Sequence, residues 1–352
     1  MIDNKVLLSL DDITIIPAIQ SKIKSRKECD PFISQIEGGN NFYPIIAAPM
    51  DSVVDDQNYK LFWDNKVSCV IPRTISLERR LELCGEVFCA FGLKEIESEF
   101  LEKTQKHPKL FVLIDIANGH MNYQLEIGVK LREKYGDSLK LMGGNIANPE
   151  TYLLYDEAKF DYLRVGIGGG AGCLTSVQTA IHFPMASLLE EIAEVRKSKK
   201  TETKVIADGG IRTYTDIIKC LALGADYVMM GYTLSKCIEA SGIQYSPEFT
   251  LEDAKRMIES GNILRKEYHG MSTKEVQAKI LGVNLEENRH KLKTSEGRRE
   301  IVDVEYSLEG WTENLNSYLR SAMSYTESAN LIQFKNVTCR RISNASREKL
   351  RK

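Results

Sequence analysis

Short hydrophobic runs alternate with longer amphipathic segments along most of the chain. The amphipathic segments include residues 77–84, 123–135, 185–197 and 214–223, which carry apolar residues at helical spacing. Continuous apolar strands that alternate with helices are typical of a parallel sheet covered by helices. Eight such units predict an α/β protein with a (β/α)8 TIM barrel, and a doubly wound open sheet is the alternative. The eight runs lie at residues 44–48, 67–71, 87–91, 110–114, 139–142, 162–165, 204–207 and 227–230.

This pattern divides the chain into five regions of one catalytic domain, residues 1–352. Residues 237–310 are charged, dotted with glycine and poor in apolar runs. An insertion this long after the last barrel strand is typical of a functional lid or flap. The other regions are an N-terminal segment (1–43), the eight βα units (44–236), a closing helix (311–331) and a polar tail (332–352).

Composition excludes several classes of protein. The chain is 43% hydrophobic and 27% charged with a formal net charge of −2, so no basic excess favours nucleic-acid binding. Its eight cysteines form no C-x-x-C pair and no zinc spacing, which indicates reduced thiols. No apolar run approaches the length of a membrane span, and no signal-peptide core is present. We therefore expect a cytoplasmic protein that binds neither nucleic acid nor a membrane.

A glycine-rich loop carries one cysteine directly after the sixth apolar run. Residues 166–172 contain five glycines, and Cys173 follows them. Because glycine adopts positive φ without steric cost, such a loop turns sharply and approaches a ligand closely. The loop therefore predicts either a reactive thiol or an anion-binding loop with an incidental cysteine.

Polar residues also follow the other predicted barrel strands. In a barrel, catalytic groups collect at the C-terminal ends of the strands. Asp208-Gly-Gly210 after the seventh strand and Gly231 after the eighth match the usual phosphate site of this fold, although a glycine pair alone also fits a tight turn. The pattern therefore predicts a substrate that carries a phosphate.

Together these motifs resemble one family, the IMP dehydrogenases and GMP reductases. The resemblance covers nearly the whole chain, and its specificity comes from the order and spacing of the motifs. The motifs are Leu10-Asp-Asp-Ile13, Lys24-Ser-Arg26, Pro49-Met-Asp-Ser52, Asp115-Ile-Ala-Asn-Gly119, Gly144-Asn145, Cys173-Leu-Thr175, Ala207-Asp-Gly-Gly-Ile211, Val228-Met-Met-Gly231, Gly270-Met-Ser272, Ser295-Glu-Gly297 and Leu319-Arg-Ser321.

The resemblance implies covalent catalysis on a purine nucleoside monophosphate. Cys173 matches the nucleophile that attacks C2 of the purine, where a nicotinamide cofactor exchanges hydride. Covalent attachment divides one difficult substitution into two easier steps. Thr175 and Glu296 match the pair that handles protons on departing ammonia in the reductases, and a hydroxyl joined to a carboxylate is a reasonable proton path.

The resemblance also implies ligand contacts and a homotetrameric assembly. Potassium is a further ligand, held by the carbonyl groups of Gly168, Gly170 and Cys173. Substrate contacts are implied for Met50, Asp208, Gly209, Gly210, Gly231, Tyr232, Gly270, Met271 and Ser272. Cofactor contacts are implied for Asp115, Asn118, Gly119, Ser295 and Gly297.

Three features are more similar to the reductases of the family than to its dehydrogenases. No CBS modules follow the second strand, where Arg73 leads directly into the next helix. The lid has Arg289-His290 in place of the Arg-Tyr pair of the dehydrogenases, and it retains Ser295-Glu-Gly297. The implied reaction is reductive deamination of GMP to IMP by NADPH, with NADH or NAD as other possible cofactors. A dehydrogenase without CBS modules, which converts IMP and NAD to XMP, is the alternative.

Three departures from the family pattern leave other activities open. Ala171 replaces a serine that helps to hold phosphate, Arg73 replaces a lysine, and Tyr232 replaces a glycine. Arginine's planar guanidinium is not equivalent to an ammonium group. Together the three departures leave a different 2-aminopurine nucleotide as one alternative substrate. A catalytically silent nucleotide-binding barrel and a barrel that acts on flavin or on a phosphosugar are the others. The histidines, including His269, show no metal-ligand spacing and are interpreted as ordinary surface or core residues.

Overall fold

Eight parallel strands close into a barrel at the centre of the fold. The computed structural model describes residues 4–104, 108–170, 172–243, 249–335 and 337–350. Strands β2 to β9 follow chain order around the barrel, and β9 pairs with β2 to close it, which confirms the predicted (β/α)8 fold. The strands of these residues are β1 (Ile13–Ile15), β2 (Ile45–Ala47), β3 (Ser68–Ile71), β4 (Phe88–Phe91), β5 (Leu110–Ile114), β6 (Leu139–Ile146), β7 (Tyr162–Val165), β8 (Lys204–Asp208), β9 (Tyr227–Met230), β10 (Leu264–His269), β11 (Arg299–Val304) and β12 (Cys339–Arg341).

Helices connect the barrel strands and cover their outer faces. Leu93–Lys103 is one helical segment, in which a π-helical turn at Ile96–Phe100 separates α3 from α4. Within the described residues, none of the helices combines the length and the hydrophobicity that crossing a membrane requires. The α-helices are α1 (Tyr59–Asp64), α2 (Leu77–Leu83), α3 (Leu93–Glu95), α4 (Leu101–Lys103), α5 (Asn122–Tyr135), α6 (Pro149–Glu157), α7 (Thr175–Thr179), α8 (Met185–Lys199), α9 (Tyr214–Ala222), α10 (Tyr232–Ser235), α11 (Leu251–Glu259), α12 (Lys274–Leu281), α13 (Leu285–Asn288), α14 (Leu308–Tyr325), α15 (Leu331–Phe334) and α16 (Asn344–Leu350).

Both faces of the barrel strands are buried, which explains their continuous hydrophobicity. Alternate residues such as Val70, Phe88 and Leu113 point into the barrel and fill it, while their neighbours pack against the helices. Strand β6 extends to Ile146, beyond the predicted 139–142, because the segment from Gly143 to Ile146 continues to pair with β7 through an irregular register.

A lid covers the C-terminal end of the barrel, as the insertion predicts. It contains α11, α12, α13 and the antiparallel hairpin of β10 and β11. Ile238, Ala254 and Val304 form a small hydrophobic core under it. The two ends of the lid lie side by side, since the Ile238 N–H donates to the Tyr306 carbonyl at 3.0 Å.

The N-terminal segment closes the opposite end of the barrel. Ile33 and Phe42 pair across a turn that places Ile36 among the inner barrel residues. The Tyr162 hydroxyl donates to the Ile36 carbonyl at 3.2 Å, which joins the N-terminal segment to β7. Strand β1 pairs with β12, so the polar tail returns to the N-terminal segment.

The closing helix α14 begins three residues before the predicted 311. Its first turn is capped by the Ser307 hydroxyl, which accepts from the Gly310 N–H at 3.2 Å. The helix ends at Tyr325, where the Thr326 hydroxyl donates to the Ala322 carbonyl at 3.0 Å.

Candidate active site

The glycine-rich loop presents Cys173 at the C-terminal end of β7. Its backbone N–H donates to the Gly170 carbonyl at 3.0 Å, and α7 begins two residues later. The Cys173 side chain is partly exposed, and all eight cysteines are free thiols. Burial raises the pKa of Cys69, Cys89, Cys220 and Cys237, which makes these thiols inert.

Cys173 begins a chain of hydrogen bonds that reaches the lid. Its thiol donates to the Thr175 hydroxyl at 3.2 Å, and that hydroxyl donates to the Glu296 carboxylate. The Leu174 N–H also donates to the Glu296 carbonyl at 2.7 Å, and Cys173 forms a β-bridge with Gly297. The structure therefore brings the three predicted catalytic residues together, although 121 residues separate Thr175 from Glu296.

Arg164 lies between two of the predicted ligand-binding carboxylates. It projects from β7 and bonds to Asp115 at 2.7 Å and to Asp208 at 3.0 Å. Asn145 donates to the same Asp208 oxygen at 2.7 Å. Burial alone would lower the pKa of Arg164, but the two carboxylates raise it above its usual value. The ends of β5, β6, β7 and β8 are thereby joined across the barrel mouth.

The predicted phosphate residues follow Asp208 directly. Gly209 and Gly210 have φ values of 102° and 78°, which favour glycine. A Cβ on Gly210 would lie 3.1 Å from the Gly169 carbonyl oxygen, so the two glycine segments pack backbone to backbone. Exposed amide groups in such loops provide an anion site without a charged side chain.

Met50, Gly231 and Tyr232 meet at a tyrosine of the lid. A Cβ on Gly231 would lie 2.7 Å from the Met50 sulfur, so the Met50 side chain packs directly on the Gly231 backbone. The Tyr268 hydroxyl lies 3.9 Å from that sulfur, and its ring packs edge to face against Tyr232 with 5.2 Å between centroids. Tyr232 therefore forms an aromatic pair with Tyr268 of the lid. Burial raises the pKa of Tyr268, which stays protonated at neutral pH.

The substrate residues predicted on the lid lie against the cysteine loop. The Gly270 N–H donates to the Arg298 carbonyl at 2.9 Å, and the Arg298 N–H donates to the Gly172 carbonyl at 3.0 Å. Met271 and Ser272 follow in the same turn and are half-buried.

The predicted cofactor residues form two groups. Ser295 and Gly297 flank Glu296 on the lid, where the Ser295 hydroxyl accepts from the Gly297 N–H at 3.2 Å. Asp115 and Gly119 lie at the end of β5, and the Gly119 N–H donates to the Asn145 carbonyl at 2.9 Å. Asn118 is exposed and accepts from the His120 N–H within its own loop. These contacts do not join Asn118 to the thiol.

Two of the three carbonyl groups predicted to hold potassium, those of Gly168 and Gly170, already accept hydrogen bonds. The Ser176 hydroxyl donates to the Gly168 carbonyl at 2.7 Å, and the Cys173 N–H donates to the Gly170 carbonyl. Each carbonyl oxygen keeps a second lone pair for a cation, so these residues fit the ion.

Several residues of the site were not predicted from the sequence. Arg164 is a charged residue within a buried strand, a signal that the sequence contains. Asp51 and His269 lie 218 residues apart and bond at 2.8 Å, a contact that no local pattern predicts. Of the three departures, Arg73 pairs with Glu95 at 3.1 Å and Tyr232 packs on the lid, whereas Ala171 lies outside the described residues.

A closed parallel barrel with a partly exposed thiol, a hydroxyl and a carboxylate joined at its C-terminal end defines a TIM-barrel enzyme. Residues 84–350 match the family described as the IMP dehydrogenase / GMP reductase domain. The chain belongs to this family, which confirms the resemblance, and it is a purine nucleotide oxidoreductase.

Similar proteins cover nearly the whole chain. It is 30% identical over 327 residues to a protein of Exiguobacterium sp. named GMP reductase, a match that covers 90% of this chain and 89% of the relative. Proteins of the same name from Lysinibacillus sphaericus and Bacillus subtilis are each 29% identical, over 339 and 340 residues, with 93% of each chain covered.

Proposed function

We propose that this protein is a GMP reductase, which converts GMP and NADPH to IMP, ammonia and NADP⁺ with uptake of one proton. The observation that supports this reaction best is the hydrogen-bonded chain from Cys173 through Thr175 to Glu296. A nucleophile joined to a proton donor is what the displacement of an amine requires.

In the first step, the Cys173 sulfur forms a bond to C2 of GMP and the bond from C2 to the amino group breaks. The thiol proton passes to Thr175 and Glu296, and the departing amine takes up one proton from this pair. The products are ammonia and a neutral thioimidate between Cys173 and the purine. Glu296 supports this role because it accepts from Thr175, which in turn accepts from the thiol.

In the second step, the bond from C2 to sulfur breaks and Cys173 leaves as a thiolate. NADPH, when bound, supplies the hydride that replaces sulfur at C2. The nicotinamide nucleotide would be held by Ser295 and Gly297 of the lid and by Asp115 and Gly119 at the end of β5. The thiolate then regains a proton, which is taken up from solvent through the Thr175 and Glu296 pair.

The remaining residues orient the nucleotide. The backbone of Gly209, Gly210 and Gly231 would bind its phosphate, and the Asp208 carboxylate, held by Arg164, would accept from a ribose hydroxyl. Met50 would lie against the purine. A potassium ion on the carbonyls of Gly168, Gly170 and Cys173 would order the loop, and a homotetramer and a cytoplasmic location complete the proposal.

The test is a direct assay of the two reactions of the family. We expect GMP to be consumed with NADPH and ammonia to be released, followed at 340 nm, with NADH as the cofactor control. Conversion of IMP and NAD to XMP, without NADPH oxidation on GMP, would contradict the proposal and favour the dehydrogenase. If GMP does not react but another 2-aminopurine nucleotide does, the reaction class stands and that nucleotide is the substrate.

The nucleophile is tested by Cys173→Ala. We expect turnover to disappear while GMP still binds, because the phosphate residues are separate from the thiol. Cys339→Ala is the matched control, since Cys339 is the other partly exposed cysteine and lies on β12. Near-normal turnover by Cys173→Ala would exclude the covalent mechanism. Potassium is tested by replacing KCl with NaCl in the same assay.

A further inference from the structure

The lid strand β10 and the loop that follows β2 contact each other residue by residue. This loop carries Met50, which the proposed function places against the purine. Three successive loop residues each meet one residue of β10. The contacts are Met50 with Tyr268 at 3.9 Å, Asp51 with His269 at 2.8 Å, and the Ser52 carbonyl with the Lys266 ammonium at 3.0 Å.

Asp51 is the centre of this contact. Its side chain is 8% exposed, and its second oxygen accepts from Lys279 of α12 at 2.7 Å. One buried carboxylate therefore holds two separate elements of the lid. Burial alone would raise the pKa of Asp51, but the hydrogen bonds from His269 and Lys279 outweigh it and lower the pKa to about 2.

The two bonded residues are chain neighbours of Met50, which the proposed function places against the purine, and of Tyr268, which contacts Met50. Met50 precedes Asp51, and Tyr268 precedes His269. A change at the pair of Asp51 and His269 therefore displaces Met50 and Tyr268 together. The Met50 sulfur also packs against the Gly231 backbone, since a Cβ on Gly231 would lie 2.7 Å from it.

We propose that Asp51 and His269 are positioning residues, which hold the lid on the barrel and thereby fix Met50 and Tyr268 for nucleotide binding. This inference rests on the proposed function for the identity of the nucleotide. Neither residue is required for the covalent chemistry itself.

The pair gives nucleotide binding a dependence on pH. Four charged groups face His269: Asp51 on the barrel loop, Lys279 on α12, Glu267 on β10 and Arg299, its partner on β11. The hydrogen bond that His269 donates to Asp51 raises the pKa of His269 above its usual value, although burial opposes this shift.

The sign of the dependence follows from the raised pKa. With the lid closed, His269 stays protonated to a higher pH than with the lid open. The stabilisation of the closed lid is therefore complete below the ordinary histidine pKa and is lost as pH rises through the raised one. Because this hydrogen bond joins two charged groups, we expect its loss to weaken nucleotide binding about tenfold, which corresponds to about 1.4 kcal/mol.

The experiment compares the full-length protein with Asp51→Asn and His269→Gln. Arg265→Gln is the matched control, because Arg265 lies on the same strand but is exposed and pairs with Asp303 at 2.9 Å. Calorimetry gives the Kd of GMP from pH 6 to 9. Amide hydrogen exchange of residues 264–269, without nucleotide, gives the opening of the lid.

We expect GMP to bind His269→Gln about tenfold more weakly than the wild type at pH 6 and nearly equally at pH 9. The titrations of Lys266 and of the nucleotide phosphate occur in both proteins and cancel in this comparison. We expect faster exchange of residues 264–269 in both variants and no change in Arg265→Gln.

A Kd ratio that stays constant with pH, or exchange equal to that of Arg265→Gln, would overturn the inference. If GMP binds to none of the proteins at any pH, the proposed function fails, while the exchange measurement still decides whether Asp51 and His269 hold the lid. If Asp51→Asn does not fold, His269→Gln supplies both measurements.

Discussion

Replacing Arg164 with methionine tests whether the barrel mouth depends on its central cation. Methionine is about as long as arginine but carries no charge, so Asp115 and Asp208 lose their common partner. Their side chains are 18% and 16% exposed, and that of Arg164 is 12% exposed, so water reaches none of the three freely. Two like charges would then face each other in a poorly hydrated site.

The expected cost follows from this burial. Removing one partner of a buried ion pair costs about 3–5 kcal/mol, because the remaining charge is left uncompensated. Asn145 still donates to Asp208, so we expect a loss of about 3 kcal/mol for Arg164→Met. Arg164→Lys keeps the charge, but an ammonium group cannot span both carboxylates as the guanidinium does. We expect it to lose about half as much.

Urea denaturation at pH 7 measures these differences as changes in the midpoint at a constant slope. Arg265→Met is the control, because its exposed pair with Asp303 contributes less than about 1 kcal/mol. GMP affinity is measured in parallel and is expected to fall with Arg164→Met, since Asp208 is no longer held. The reasoning is refuted if Arg164→Met is no less stable than Arg265→Met, or if Arg164→Lys matches the wild type.

Three further predictions follow from single contacts. Glu296→Gln should slow ammonia release from GMP by about 10²-fold or more with little change in the Kd of GMP, measured by single-turnover kinetics, and an unchanged rate would contradict its role. Burial raises the pKa of Glu37 to about 8, so the contribution of Glu37 to stability should fall by about 1.4 kcal/mol per pH unit between about pH 5 and 8. Glu37→Gln should remove this slope in urea denaturation at several pH values, and an unaltered slope would show that Glu37 does not titrate there. Ser307→Ala removes the cap of α14 and should cost about 1 kcal/mol, measured by thermal unfolding, whereas no change would mean that water replaces the hydroxyl.

The barrel was predictable because its strands are apolar on both faces. Each strand appears in the sequence as a continuous run, and the helices between them have clear periodicity. The lid has no such signal. Strand β10 contains Arg265, Lys266, Glu267 and His269, and its buried face includes a lysine whose ammonium bonds to backbone carbonyls. A charged residue in a buried strand position contradicts the usual pattern, so this hairpin could not be located from hydrophobicity.

The candidate site also contains some residues that the sequence predicts and others that it does not. The loop that carries Cys173 is recognisable from its glycines alone, but those residues fit a reactive thiol and an anion-binding loop equally, and only the family resemblance favours the thiol. Its partners Thr175 and Glu296 depend on the family resemblance, because their contact joins distant parts of the chain. Arg164 could have been found from the sequence as a charge within an apolar run. Asp51 and His269 could not, since their contact exists only after the lid has folded onto the barrel.

Because the two ends of the lid lie side by side, the whole lid is a single insertion that can be exchanged as one unit. The barrel carries Cys173, whereas Glu296, which we propose handles the leaving group, lies on the lid between Ile238 and Tyr306. Since these two residues are hydrogen-bonded, a segment of different length or sequence can be inserted between them with little added loop-closure entropy. Exchanging this one continuous stretch of chain would therefore alter the chemistry proposed for Glu296 without moving Cys173.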